Sequence, residues 1–426
     1  TPLVSLMNPA KASSFHWNRS SSGIQGSTVN ALTIDPRNSQ ILYASTRGYG
    51  LFKSRDGGAS WNASSSGLTS YNVNSVLIDT SPLEALYAGA DGGGVCKSTD
   101  GGASWNASSS GLVNNDALCL VFGSTPRTLY AGTRGSAVFR STDGGASWEP
   151  WSNGLTRNVV LCLASYIPPH HGSEVVDPTL YAGTLYGGVF KSANGGSNWS
   201  EINNGLTGTL VADIAIDPSN SQILYAATDA GAFKSTNGGS NWSAVNNGIT
   251  SFSIGSIAID PSNSQILYAG TRYGGVFRSI NGGANWETMN QGLDGYALQI
   301  GKLTIDPSSP RILYAGADGG VFKTDGKKQV HATILRVPKG PAYRLEGGAS
   351  SLNLSTSTDW LLLQANFGEA SLQNLGNGWT VQLVDNALPA PPSPAFPVSV
   401  YDDGYHLVTT GTILYGLGFG WAGGPH

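Results

Sequence analysis

The places where this chain of 426 residues could do chemistry are a few carboxylates and one histidine-bearing stretch. Asp91, Asp229 and Asp318 hold equivalent places in three of its repeated phrases. Hydrolysis of a glycosidic bond needs two carboxyl groups facing each other across the bond, roughly 5 to 9 Å apart. His170, His171, Glu174 and Asp177 crowd into Tyr166-Ile-Pro-Pro-His-His-Gly-Ser-Glu-Val-Val-Asp-Pro178, and imidazole and carboxylate are metal ligands. Adjacent histidines without a further spaced His or Cys are not a ligand set, so the stretch reads as a proline-rich surface loop and no metal is assigned. Other acidic residues recur: Asp35, Asp79, Asp217, Asp260 and Asp306 open one kind of turn, and Asp56, Asp100 and Asp143 sit in another. What recurs round a repeat is scaffold, so no catalytic residue and no cofactor is assigned.

The elements that must position these side chains are seven copies of one unit of roughly 43 residues. Tyr43, Tyr87, Tyr130, Tyr181, Tyr225, Tyr268 and Tyr314 each close an Ile/Leu-Leu-Tyr-Ala-Gly phrase or a close variant. Six copies run on to a turn and a tryptophan, Trp61, Trp105, Trp148, Trp199, Trp242 and Trp286, each followed six residues later by Gly and then Leu or Ile. The seventh copy breaks off at Thr324-Asp-Gly-Lys-Lys328, and the missing tryptophan phrase stands at the other end, at Trp17 with Gly23-Ile24. Each unit offers four short apolar runs separated by Pro/Asn and Gly-Gly turns, which is strand spacing. A four-stranded sheet cannot bury both faces alone, so such sheets stack radially. The expectation is an all-β, seven-bladed propeller over residues 12–328, closed by an N-terminal outer strand carrying Trp17.

The turn phrase is Ser-x-Asp-x-Gly-x-x-Trp, with Asp56, Asp100 and Asp143 in the first three copies and Asn194, Asn237 and Asn281 in the later ones. It resembles the Asp-box of sialidase-like (BNR) propellers, a group extending to xyloglucanase-type hydrolases, sortilin-type receptors and the photosystem II assembly propeller. The resemblance covers about three quarters of the chain and implies that the box is a structural hairpin whose carboxylate or amide caps its own turn. The sialidase pattern also expects an Arg-Ile-Pro phrase and a tyrosine–glutamate pair, and neither is present. Xyloglucanase-type enzymes resemble two propellers in tandem, and one is present. The resemblance therefore points to a non-catalytic binding or assembly component, with a lectin or a glycoside hydrolase as the rivals.

A binding face is expected where the loops joining second to third strands meet the loops between blades. The first set reads Arg47, Asp91, Arg134, Leu185, Asp229, Arg272 and Asp318, an alternation that suits either inter-blade salt bridges or a polar mouth for an anionic or sugar ligand. Tyr49, Tyr186 and Tyr273, with Tyr71, Phe252 and Tyr296 between blades, favour recognition of a sugar or of a protein partner. Six Asn-x-Ser sequons stand at Asn18, Asn62, Asn106, Asn198, Asn241 and Asn353, and five flank the tryptophans. Cys119 and Cys162 read as small core residues, aligned with Val76, Ile214, Ile257 and Leu303, and three cysteines make no disulfide framework.

The 12% of charged residues is about half the usual share, and 58 glycines with many Ser, Thr and Asn give a surface that is polar without charge. With a net charge of −4 and no basic run, nucleic acid is excluded as a partner. No apolar run reaches the ~20 residues of a membrane helix. A chain opening at Thr1 reads as an exported product, secreted, periplasmic or at a cell surface. After residue 328 the repeat ends. His331–Leu345, Asp359–Gln364 and Gly376–Thr380 faintly resemble a bacterial SH3-like barrel, giving a small β module at 329–387. A proline-rich connector is expected at 388–397, and a hairpin with a Gly-rich tail at 398–426 suited to self-association.

Overall fold

The computed structural model describes residues 15–326, apart from 27, 82–83, 114 and 169–175, and beyond them the backbone of a set of C-terminal strands. The two parts separate into compact units, one of them Trp17–Asp325.

That unit is a ring of seven four-stranded antiparallel sheets. The first blade, Val29–Ile34, Leu42–Thr46, Gly50–Ser54 and Asn62–Ala63, sets the pattern from axis to rim. The innermost strands of neighbouring blades touch all the way round, the seventh against the first. The seventh blade has Ile300–Ile305, Leu313–Ala317 and Gly320–Thr324, and its outer strand is Trp17–Arg19, with Trp17 opposite Thr324. The ring is closed by its N-terminal strand, as the offset between seven tyrosines and six tryptophans requires.

The repeated residues are the joints between blades. Six of the tyrosines reach the next blade's box: among them Tyr43 Oη donates to the Gly101 carbonyl at 2.9 Å, Tyr87 to Gly144 at 3.0 Å, and Tyr314 closes the circle on Gly57 at 2.9 Å. Lys53, Lys97 and Lys323 donate to those same carbonyls from above the tyrosine rings. Each tryptophan looks the other way, its indole N–H donating to the rim of the preceding blade: Trp61 to Ser20, Trp105 to Ser64 and Trp17 to Met289, all at 2.7 Å. The glycine six residues past each tryptophan lies against the next blade's tryptophan. At Gly67, with φ +85°, a Cβ would stand 2.1 Å from the Trp105 carbonyl oxygen, so only glycine fits.

The third blade varies the joint. Arg140 replaces the lysine, lies 3.4 Å over the Trp151 ring and pairs with Glu149, while the Trp151 indole donates to the Gly195 carbonyl that Tyr130 also bonds.

Every innermost strand carries a β-bulge between its first and third residues. Because a one-residue slip turns a side chain to the other face, the bulge decides which residue looks along the ring. It also corrects the cysteine alignment. Cys119 and Cys162 pair with Gly132 and Gly183, so they match Ala31, Ser75, Asp213, Ser256 and Lys302 rather than Val76, Ile214, Ile257 and Leu303. In the third blade the loop before Tyr130 is one residue shorter, which makes counting back from the tyrosine land one position off.

In the C-terminal unit, ten strands share one sheet. Lys328–Ile334 lies between Trp360–Phe367 and Phe396–Tyr401, and Thr380–Leu383 pairs with Phe419–Ala422. Strands on both sides of the proline-rich stretch, the expected terminal hairpin included, therefore enter a common sheet. Most of the stretch itself, 388–395 of 388–397, lies outside the described residues.

Candidate functional site

One end of the ring is built from the turns between first and second strands and from the boxes. The aspartates there work on their own turns. Asp35, Asp79, Asp217, Asp260 and Asp306 each accept a backbone N–H two residues on, at 2.8 to 3.0 Å. In the first box Asp56 accepts the Ser54 hydroxyl at 2.8 Å and both the N–H and hydroxyl of Ser60. Those bonds from Ser60 hold its carboxyl down at about 2. Asp100 is lowered by the same contacts from Ser104, and Asp143 is held at about 2, its bonds to Ser147 outweighing burial. Asn194, Asn237 and Asn281 accept the equivalent N–H of Asn198, Asn241 and Asn285 through their amide oxygens.

The sequons belong to this scaffold. The serines of the Asn18, Asn62 and Asn106 sequons are buried, and Ser20, Ser64 and Ser108 donate to the box carbonyls of Gly58, Gly102 and Gly145 at 2.6 Å. Asn198 and Asn241 are exposed and accept from the amides of Asn153 and Asn204. Asn353 lies in a C-terminal strand whose side chains are outside the described residues.

The other end is built from the loops between second and third strands and the loops between blades, stitched by backbone bonds such as Arg47 N–H to Thr28, Gly50 to Tyr71 and Arg272 to Ser253. Among the described residues, nine large apolar or aromatic side chains are exposed. Seven are here: Tyr49, Tyr71, Val113, Tyr186, Phe252, Tyr273 and Tyr296. Tyr186 also holds a left-handed backbone, φ +63°, where the first two blades place Gly48 and Gly92. An L-residue there costs about 1–2 kcal/mol, and this one is 66% exposed, so no burial of the ring offsets the strain.

The alternating charges form salt bridges in one sector only. Arg134 reaches Asp91 at 3.5 Å and Asp116 at 3.8 Å, and Asp91 also accepts from Asn74. Asp229 accepts the N–H groups of Thr209 and Leu210. No ion pair forms at Arg47, Arg272 or Asp318 among the described residues. The ring of inter-blade bridges that the alternation permits is thus a single patch on the second and third blades, and an exposed pair of this kind contributes about 0–1 kcal/mol.

Just inside this end the innermost strands carry a belt of side-chain bonds that the repeat hides. Asn74 donates to the Ala117 carbonyl, Cys119 to Val160 and Cys162 to Val211, each across a blade junction. Asp213 accepts the Ser256 hydroxyl and the Ile257 N–H, and Lys302 spans the whole sixth blade to meet Asp213 at 3.1 Å. The Lys302 side chain is 39% exposed. Burial opposes its charge, but Asp213 outweighs that and raises its pKa. Burial pushes the Cys119 thiol up to about 12 and Cys162 well above its ordinary value. Neither thiol ionises near neutrality, which leaves them as inert packing and hydrogen-bonding groups. Asp213 and Lys302 were invisible to a search for repeated phrases; their signal was the departure from Ala, Ser and Cys at one inner position.

Of the four residues weighed as metal ligands in the proline-rich loop, His170, His171 and Glu174 lie outside the described residues. Among the described residues no group of three or more His, Cys, Asp or Glu is placed to hold a metal.

Fold and faces together define a seven-bladed β-propeller whose box end is scaffold and whose other end is open to solvent. The family model described as the DUF6242 beta propeller domain matches residues 11–162. No curated protein matches the sequence. Among solved structures the chain is similar to the Niastella koreensis GH74 enzyme, at 16% identity over 96% of this chain and 74% of that one, TM-score 0.58. It is also similar to YCF48 bound to D1 peptide, at 15% identity over 74% and 96%, TM-score 0.54. A third is the extracellular domain of BT3049 from B. thetaiotaomicron, at 13% identity over 91% and 58%, TM-score 0.59. At these identities the likeness is one of fold, and that fold serves a hydrolase, a protein with a bound peptide and an extracellular domain. No helix among the described residues is long and apolar enough to cross a membrane.

Proposed function

We propose that the chain is a non-catalytic binding component, working outside the cell or at its surface, that takes its ligand on the end formed by the inter-blade loops. One observation carries this reading: the exposed aromatic side chains gather at that end, and one of them, Tyr186, is held there against backbone strain. Strain kept at an exposed ring is accounted for by what the ring touches rather than by stability. The low charge and the likeness to an extracellular domain support the location.

The hydrolase reading draws on the GH74 fold likeness and needs opposed carboxylates at this end. Asp91 and Asp229 are already engaged, the first by Arg134 and Asn74 and the second by backbone N–H groups. The test is a panel of polysaccharides, sialosides and peptides assayed for both retention and turnover. Retention lost in Tyr186→Ala and Tyr273→Ala without turnover supports the proposal. Turnover abolished by Asp91→Asn, Asp229→Asn or Asp318→Asn overturns it.

A further inference from the structure

Three cationic groups on the loop end stand beside exposed rings without a carboxylate partner among the described residues. Arg47 shares its loop with Tyr49, whose ring lies over Gly26, and Tyr71 from the next inter-blade loop covers Gly50 of that same loop. Arg157 runs its aliphatic stem across Gly187, next to the strained Tyr186. Arg272 is followed by Tyr273, 73% exposed. The fourth arginine of this end, Arg134, differs in being neutralised by Asp91 and Asp116. The loop end is therefore divided: a closed sector on the second and third blades, and open arginine–tyrosine groups on the first, fourth and sixth.

Resting on the binding role proposed above, we infer that these groups receive a chain of uronate sugars, an acidic polysaccharide lying across the loop end. A sugar ring presents an apolar C–H face to a tyrosine, and a guanidinium forks onto a carboxylate with two parallel hydrogen bonds. A uronate chain supplies both at every residue, which suits arginine–tyrosine groups repeated on separate blades. An acidic peptide fits less well, because this end offers no strand edge for a peptide backbone to pair with; the outer strands are two or three residues long and lie at the rim. Among the described residues Val113 is the one exposed aliphatic side chain at this end, and the other exposed large side chains there are aromatic, whereas the core of a protein interface is more apolar than the surface around it.

Calorimetry of the full chain with polygalacturonate, its methyl-esterified form and poly-glutamate tests this. The expected result is binding of polygalacturonate that weakens with salt, with methyl esterification and each of Arg47→Gln, Arg157→Gln and Arg272→Gln lowering affinity about tenfold or more, since a hydrogen bond to a charged group contributes about 1.5–3 kcal/mol. Thermal melts of the variants should coincide with the parent, because these side chains support no described joint. Equal affinity for the esterified chain, tighter binding of poly-glutamate, or no binding of polygalacturonate overturns the uronate assignment. If another ligand then proves sensitive to Tyr186→Ala or Tyr273→Ala, the binding face stands and only the ligand class falls. If no ligand responds to any substitution at this end, both fall.

Discussion

The two ends of the ring are made by the same seven repeats and spend them differently. At the box end the repeated polar groups are engaged: box aspartates and asparagines cap their own turns, and tyrosine, lysine and serine donate to the next blade's box. At the loop end the residues change from blade to blade, three arginines stand without carboxylate partners among the described residues, and a tyrosine sits in a glycine's conformation. The difference teaches that repetition here marks what holds blades together, while the groups proposed to bind lie where the loop sequence varies from blade to blade.

Substitutions at the joints should break this contrast most strongly. Trp105→Ala removes a 2%-exposed ring that bonds the preceding blade, and a loss of about 3–5 kcal/mol is expected in denaturant unfolding. Gly67→Ala should fall in the same range, since its Cβ meets the Trp105 carbonyl. Ligand retention by the folded fraction should not change in either.

The inner belt should respond less. Lys302→Met leaves the Asp213 carboxylate bonded to Ser256 and Ile257 but without its counter-charge, and a loss of about 1–2 kcal/mol is expected after allowing for the exposure of the lysine. Because the folded pKa of Lys302 is raised, the contribution is complete below the unfolded value and lost as pH rises through the folded one, so parent and variant should converge in alkaline melts.

Tyr186→Gly sharpens the contrast by moving its two sides in opposite directions. Relief of the left-handed strain should raise stability by about 1 kcal/mol in the same unfolding assay, while ligand retention falls. A variant both less stable and unaltered in retention would remove the functional account of that strain.

The smallest effect separates early blades from late ones. Asp56 and Asp143 have folded pKa values near 2, below the unfolded carboxyl, so their contribution is present above about pH 4 and lost as pH falls toward 2. The asparagine boxes of the fourth to sixth blades do not titrate. Replacing Asp56, Asp100 and Asp143 by Asn should flatten that acid limb in thermal melts and leave neutral stability nearly unchanged.

How much of this was legible beforehand follows the same division. Trp17 could be placed because a missing tryptophan in a strict count has one solution. The loop-end aromatics were legible as well, since turn signals place them between strands. The inner belt was not: Asp213, Ser256 and Lys302 meet only because a bulge in each strand sets the register, and the shortened third-blade loop displaced Cys119 by one position. The state of the arginines was also illegible, because alternating signs along the sequence do not say which pairs lie within reach.

The central claim is that ligand is held at the loop end and not at the box end. The most direct measurement is an array of polysaccharides and peptides probed with three full chains: the parent, a loop-end variant with Tyr186→Ala, Arg272→Gln and Tyr273→Ala, and a box-end variant with Arg55→Gln and Ile280→Ala, the latter exposed among the boxes. The account predicts that what the parent retains is lost by the loop-end variant and kept by the box-end variant. Retention kept by the first and lost by the second, or a parent that retains nothing, would contradict it.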